Sequence, residues 1–158
     1  MTPGSAWGHL LAAWLPELIL SIGALIVLLS GVFGRRSTLP VTFTWITLVW
    51  TSFSLTIVPT PGPAFGGLVV LDTLSLLFRW LALGTITLVV LMASSSDEVD
   101  GGWTGEYLSL LLMVGVGLML MAESAHLLMA YLSIELVSLN SYVLVALLRD
   151  RRGAEASL

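Results

Sequence analysis

The sequence contains no cysteine and no lysine, and only 10% of its 158 residues are charged. Without cysteine, the chain can form neither a disulfide nor a Cys-ligated zinc or iron–sulfur site. All six basic residues are arginines, and only two histidines are present, at positions 9 and 126. Such a chain has no basic surface suited to nucleic acid, and its two distant histidines do not form a metal site. The sequence therefore predicts no catalytic, cofactor-binding or metal site within this chain.

Apolar residues are abundant instead, at 57% of the chain, and the mean hydropathy is +1.00. Soluble domains have about 45–50% apolar and about 25% charged residues. About 20 apolar residues are enough to cross a bilayer, and the chain has five runs of roughly that length. They cover 10–33, 40–58, 68–93, 107–121 and 126–148. We expect an all-α, polytopic transmembrane helix bundle, because open sheet edges do not occur in lipid.

The arginines indicate how this bundle is oriented in the membrane. Arg35 and Arg36 follow the first run, and three further arginines at 149–152 follow the fifth. With five spans, both groups fall on the same side of the membrane, and the opposite loops carry no Arg or Lys. The positive-inside rule places that side in the cytoplasm, so the C-terminus is predicted to be cytoplasmic and the N-terminus outside.

Glu135 is the leading candidate for a functional residue, because it interrupts the apolar fifth run. A charged side chain at the bilayer centre costs about 2.5–3.5 kcal/mol on insertion scales and usually marks an ion pathway. Tyr131, Ser138 and Tyr142 fall within roughly 60° of Glu135 on a helix. This polar stripe could order water beside the carboxylate, which suits a proton relay. The alternative interpretation is a structural polar contact between helices.

Arg79 is the other deep charge, about halfway along the predicted third run. Its candidate partners within the chain are Glu135, Glu123 and Asp72, and it could also contact a neighbouring subunit. Arginine does not lose its proton in proteins, so Arg79 can bias a carboxylate but cannot relay protons. Structural pairing is the favoured interpretation.

Three further polar residues lie near predicted helix ends. Glu17 follows Pro16 in the first turns of the first run, where the helix dipole favours a carboxylate, and it is expected to reach water. Glu123 and His126 flank the tight turn between the fourth and fifth runs. His126 titrates near neutral pH when solvated; it is interpreted as a cap or surface group, with a role in proton entry as the alternative.

Several motifs resemble a known family. They are GEY at the start of the fourth run, MAESAHLL at the following turn, IELVSLNSYVL around Glu135 and the final EASL. LPELIL at 15–20 and LDTLSLLFR at 71–79 extend the match. Together they resemble subunit N of the bacterial-type proton-pumping NADH:quinone oxidoreductase, respiratory complex I.

The resemblance implies a multi-pass subunit of the bacterial inner membrane with no cofactor of its own. It would help to translocate protons while partner subunits, with FMN and iron–sulfur clusters, oxidise NADH and reduce quinone. The family's glutamate at Glu135 pairs with a lysine on a later helix, and that pair is thought to gate proton movement. This chain has no lysine, and the family's lysines lie beyond the EASL sequence.

The resemblance therefore divides the chain into two parts. Residues 1–104 are expected to form three leading helices, and 105–158 the first two helices of an incomplete antiporter-like channel unit. The leading hypothesis is an N-terminal fragment of the proton-translocating subunit, which is an enzyme only as part of the complex. The alternatives are a subunit of a multisubunit cation/proton antiporter and a nonfunctional, truncated membrane fragment.

Overall fold

A computed structural model describes residues 14–33, 38–57, 62–64, 67–94 and 104–155. Within them lie five helices and two short strands. The helices are α1 (Leu15–Phe33), α2 (Leu39–Ile57), α3 (Thr73–Ser94), α4 (Thr104–Glu123) and α5 (Leu127–Glu155), and the strands are β1 (Gly62–Ala64) and β2 (Val69–Leu71). All five helices are long and apolar enough to cross a membrane. The predicted all-α polytopic bundle is confirmed.

The third helix begins later than its apolar run predicts. Residues 69–71, expected to be helical, form strand β2, which pairs antiparallel with β1. Asp72 then caps α3: its Oδ1 accepts a hydrogen bond from Ser75 N at 2.7 Å, and Ser75 Oγ accepts one from Asp72 N at 3.0 Å. This reciprocal pair is a capping box, which fixes a helix start. Local capping therefore sets the boundary, which hydropathy alone placed too early.

The hairpin holds the turn between α4 and α5. Val69 forms a β-bridge with Ser124, and Ala125 N donates a hydrogen bond to Leu68 O at 3.0 Å. Gly67, with φ +89, occupies a backbone conformation that favours glycine between the two strands. The loop before α3 and the turn after α4 therefore lie together at one end of the bundle.

The hydroxyl groups of α2 explain how its least apolar sequence still forms a spanning helix. Thr44, Thr47 and Thr51 each donate a hydrogen bond of 2.8 Å to the carbonyl four residues earlier. Such bonds satisfy the hydroxyl within its own helix, so no partner from another helix is needed at bilayer depth.

Helix α4 lies at the centre of the bundle and packs against each of the other four helices. Glycines allow the closest approaches. A Cβ added to Gly105 would lie 2.5 Å from the Cα of Gly31 on α1, and one added to Gly117 would lie 2.7 Å from Val137 Cγ2 on α5. The close packing expected of small residues between membrane helices is present at both contacts.

Helix α5 is far less enclosed than α4. Half of the spanning window of α4 is buried inside the bundle, against 6% of that of α5. Ser133 is buried and Val137 packs near Gly117, so one face of α5 rests on α4. The opposite face of α5 is open.

Candidate functional site

Glu135 lies on the open face of α5. Two residues along a helix correspond to a rotation of about 200°, so Glu135 points away from Ser133 and Val137, which face α4. Its side chain is exposed, and within the described part of the chain it forms no hydrogen bond or ion pair. At about 1.5 Å per residue, it stands about 12 Å from the start of α5.

The predicted polar stripe shares this open face. Tyr131 and Tyr142 are 62% and 70% exposed, and Ser138 is half-buried. The structure places these residues on the side of the helix that Glu135 occupies, with nothing from α1 to α4 covering the tyrosines. The site therefore contains an acid and potential hydrogen-bonding groups, and it lacks a basic group among the described residues.

A second carboxylate site lies inside the bundle, at one end. Arg79 of α3 donates three hydrogen bonds to the carboxylate of Glu17 on α1. They are Nε–Oε1 at 3.0 Å, Nη2–Oε1 at 2.6 Å and Nη2–Oε2 at 2.7 Å. Arg79 is fully buried and Glu17 is 3% exposed. Such charge-assisted contacts to both carboxylate oxygens are among the stronger hydrogen bonds in proteins.

Glu123, the last residue of α4, completes this site. Its Oε1 lies 2.8 Å from Nε of Arg79, but the N–H of that nitrogen is directed at Glu17. The contact is therefore a close approach of Glu123 to the guanidinium without a directed hydrogen bond. Neither oxygen of Glu123 accepts a hydrogen bond from a described donor, and the residue is 1% exposed. We refer to Glu17, Arg79 and Glu123 as the charge cluster.

The charge cluster differs from the sequence-based expectations in two ways. Arg79 lies in the second turn of α3 rather than halfway along its span, because α3 begins only at Thr73. Glu17, expected to reach water, is buried against Arg79. Of the proposed partners of Arg79, the structure brings Glu123 into contact and does not bring Glu135. The sequence could have indicated the pairing of Glu17 with Arg79. In a five-span topology the first and third helices run in the same direction, so residues near the start of each lie at the same depth.

His126 caps α5. Its side chain is exposed, and Nδ1 accepts a hydrogen bond from Leu128 N at 3.2 Å. An acceptor at this position satisfies one of the free N–H groups of the first helical turn. The geometry fits the cap interpretation of this histidine.

A groove of about 650 Å³ opens between α3 and the end of α4. Four of its polar residues, Asp72, Ser75, Glu123 and Ser124, lie where α3 begins and α4 ends, and apolar walls formed by residues such as Phe78, Leu81 and Leu118 extend along the helices. Glu123 therefore belongs to the charge cluster and also lines this groove.

Comparisons with known proteins support the resemblance seen in the motifs. No family model matches the chain. Among curated proteins it is 36% identical over 153 residues to NADH-quinone oxidoreductase subunit N of Rhizorhabdus wittichii, covering 94% of this chain and 32% of that protein. It is 33% identical over 154 residues to subunit N of an Anaeromyxobacter species, covering 93% and 30% respectively. The chain therefore spans about a third of the length of these relatives.

Proposed function

We propose that this chain, which belongs to the family of NADH-quinone oxidoreductase subunit N, contributes Glu135 to a transmembrane proton path. The observation that carries the proposal is the position of Glu135: an acid on an exposed stripe of a spanning helix, with no partner from α1 to α4. An intramembrane acid marks an ion pathway as a rule. The nearby tyrosines and serine supply hydroxyl groups that order water beside it.

The proposed site is completed by groups outside these 158 residues. A polar helix face in contact with lipid is unfavourable, and α5 leaves such a face open. A helix carrying a basic group is expected to pack against it. At 4 Å and an effective dielectric constant of 20, a cation favours the ionised carboxylate by about 4 kcal/mol.

Approach and withdrawal of that cation would move a proton on Glu135. When the cation lies close, the carboxylate is stabilised and its proton passes to neighbouring water. When the cation withdraws, the carboxyl takes up a proton again, because the positive charge that stabilised its ionised form is gone. Tyr131 and Ser138 are positioned to hold the water that carries the proton to and from Glu135.

In this proposal, partner subunits of the complex perform the redox reaction. They would hold FMN and iron–sulfur clusters, oxidise NADH and reduce quinone, and this chain would hold none of these groups. The arginines after α1 and at the end of α5 orient the N-terminus to the outside and the C-terminus to the cytoplasm. That orientation places the charge cluster and the hairpin at the outer end of the bundle.

The test is Glu135→Gln in the assembled complex. We expect the complex to assemble in normal amounts, because Glu135 is exposed and forms no hydrogen bond or ion pair with the described residues. We expect the proton-to-electron ratio or the turnover to fall. Glu135→Asp, which keeps the acid on a shorter side chain, is expected to retain part of the activity. Full turnover with an unchanged proton-to-electron ratio in Glu135→Gln would refute the proposal and would favour the alternative of a chain that only inserts.

A further inference from the structure

The charge cluster contains two carboxyl groups and one guanidinium, all buried in the bundle. Glu17, Arg79 and Glu123 are each 3% exposed or less. With both carboxyl groups ionised, the cluster would carry a net charge of −1. A buried charge without compensation is strongly unfavourable, because the desolvation cost is not recovered. A single bound proton makes the cluster neutral.

The hydrogen bonds show which carboxyl group carries that proton. Both oxygens of Glu17 accept hydrogen bonds from Arg79, at 2.6–3.0 Å. Hydrogen bonds to a carboxylate favour its charged form. Both oxygens of Glu123 lack a donor among the described residues. Glu17 is therefore the ionised partner of Arg79, and Glu123 is the group on which a proton is most favourable.

The groove gives this proton a route to the surface. Glu123 lines the groove together with Asp72, Ser75 and Ser124. Asp72 is exposed at the start of α3, so polar groups lie between the carboxyl of Glu123 and the end of the bundle. Water in the polar end of the groove would connect them.

We propose that Glu123 is a second proton-binding site, separate from Glu135, which exchanges its proton through the groove between α3 and α4. The groups that face it are Glu17 from α1, Arg79 from α3 and, across the groove, Asp72; His126 follows in the turn and is exposed. The site is formed by α1, α3 and α4 alone. It therefore does not depend on Glu135 or on the proposed function.

The proposal fixes the sign of a pH dependence. In the folded chain Glu123 holds a proton at a pH where a solvated glutamate has lost it, so the folded state binds more protons than the unfolded state. Linkage then requires stability to fall as pH rises. One proton changes the unfolding equilibrium constant by at most about tenfold per pH unit. This contribution should disappear in Glu123→Gln, whose amide has the shape and charge of the protonated acid.

The experiment compares two isosteric variants, Glu123→Gln and Glu17→Gln, in protein purified from membranes in detergent. We expect Glu123→Gln to be as stable as the wild type at neutral pH and to lose the proton-dependent slope. Glu17→Gln removes the carboxylate that accepts the hydrogen bonds of Arg79 and leaves Arg79 only the undirected contact with Glu123, so it should be less stable than the wild type. Equal destabilisation by both substitutions would refute the proposal.

Infrared spectroscopy with isotope-labelled glutamate provides an independent readout, in a Glu135→Gln background that removes the acid on α5. The C=O stretch of a protonated carboxyl should be present at neutral pH and absent from Glu123→Gln. It should also be absent from Glu17→Gln, because Glu123 then ionises to pair with Arg79. A shift of the band in heavy water would show that this proton exchanges with solvent, as a route through the groove requires. A missing band, or a band that does not shift, would contradict the proposal.

Discussion

Glu123 and Glu135 lie on consecutive helices, yet their surroundings are opposite. Glu123 is enclosed between α1, α3 and α4 and lies 2.8 Å from an arginine nitrogen. Glu135 is exposed on α5 and contacts no charged group among the described residues. Both are acids on spanning helices, where an ionisable side chain is costly unless it is compensated. For Glu123, Arg79 of α3 offsets that cost within the bundle. For Glu135 no described residue does so, and a group outside the described residues must offset it.

The comparison separates a self-sufficient part of the bundle from a dependent one. Half of the membrane-spanning segment of α4 is buried inside the bundle. The charge cluster joins α1 and α3 to α4, which packs against both. Only 6% of the membrane-spanning segment of α5 is buried. Substitutions in the charge cluster should therefore change the stability of this chain. Substitutions on the Glu135 stripe should change proton translocation in the assembled complex.

The largest effect is expected from Arg79→Gln. Removal of the guanidinium leaves two buried carboxyl groups without a cation, and breaking a buried pair in this way costs about 3–5 kcal/mol. The free energy of unfolding in detergent, followed by circular dichroism, measures the loss.

Arg79→Lys is the matched control for that substitution. It keeps the positive charge but loses the bidentate geometry of the guanidinium, so an intermediate loss is expected. A loss below about 1 kcal/mol for Arg79→Gln, typical of an exposed ion pair, would show that the cluster does not stabilise the bundle and would remove the contrast with Glu135.

The two sites also differ in how far the sequence predicted them. The helices followed from apolar runs of spanning length, and the stripe around Glu135 followed from helical spacing, since both are properties of one segment. The pairing of Arg79 with Glu17 depends on which helices are adjacent and on where each begins. Hydropathy does not show that 69–71 form a strand, so the apolar run puts Arg79 too deep and gives no sign that Glu17 is its partner.

A second prediction tests the packing around α4. Gly105→Ala would place a Cβ 2.5 Å from the Cα of Gly31, a backbone atom that cannot move aside easily. Overpacking of this kind typically costs about 1–3 kcal/mol. Gly84→Ala is the control, because a Cβ on that glycine meets nothing within 4 Å. Alanine also favours a helix by about 1 kcal/mol over glycine, so Gly84→Ala is expected to be neutral or stabilising by thermal unfolding. Equal effects of the two substitutions would show that α1 and α4 are not in close contact.

A third prediction addresses the start of α3, which sets the level of Arg79 in the bundle. Asp72→Ala removes the capping acceptor for Ser75 N and should cost about 1 kcal/mol. Asn caps helices nearly as well as Asp, so Asp72→Asn should remain close to the wild type. Thermal unfolding of both variants distinguishes loss of the cap from loss of the negative charge: if Asp72→Asn is as unstable as Asp72→Ala, the charge rather than the cap is responsible.

The smallest effect on stability is expected from Glu135→Gln in this chain alone. Its side chain is exposed and forms no hydrogen bond or ion pair with the described residues, and substitutions at such positions usually change stability by less than about 0.5 kcal/mol. The free energy of unfolding in detergent should therefore be unchanged for Glu135→Gln, under the conditions in which it falls by several kcal/mol for Arg79→Gln. If Glu135→Gln destabilised the isolated chain as much as the cluster substitutions, the face of α5 would already be packed within these 158 residues. The partner for Glu135 would then have to be sought inside the chain rather than on a neighbouring helix.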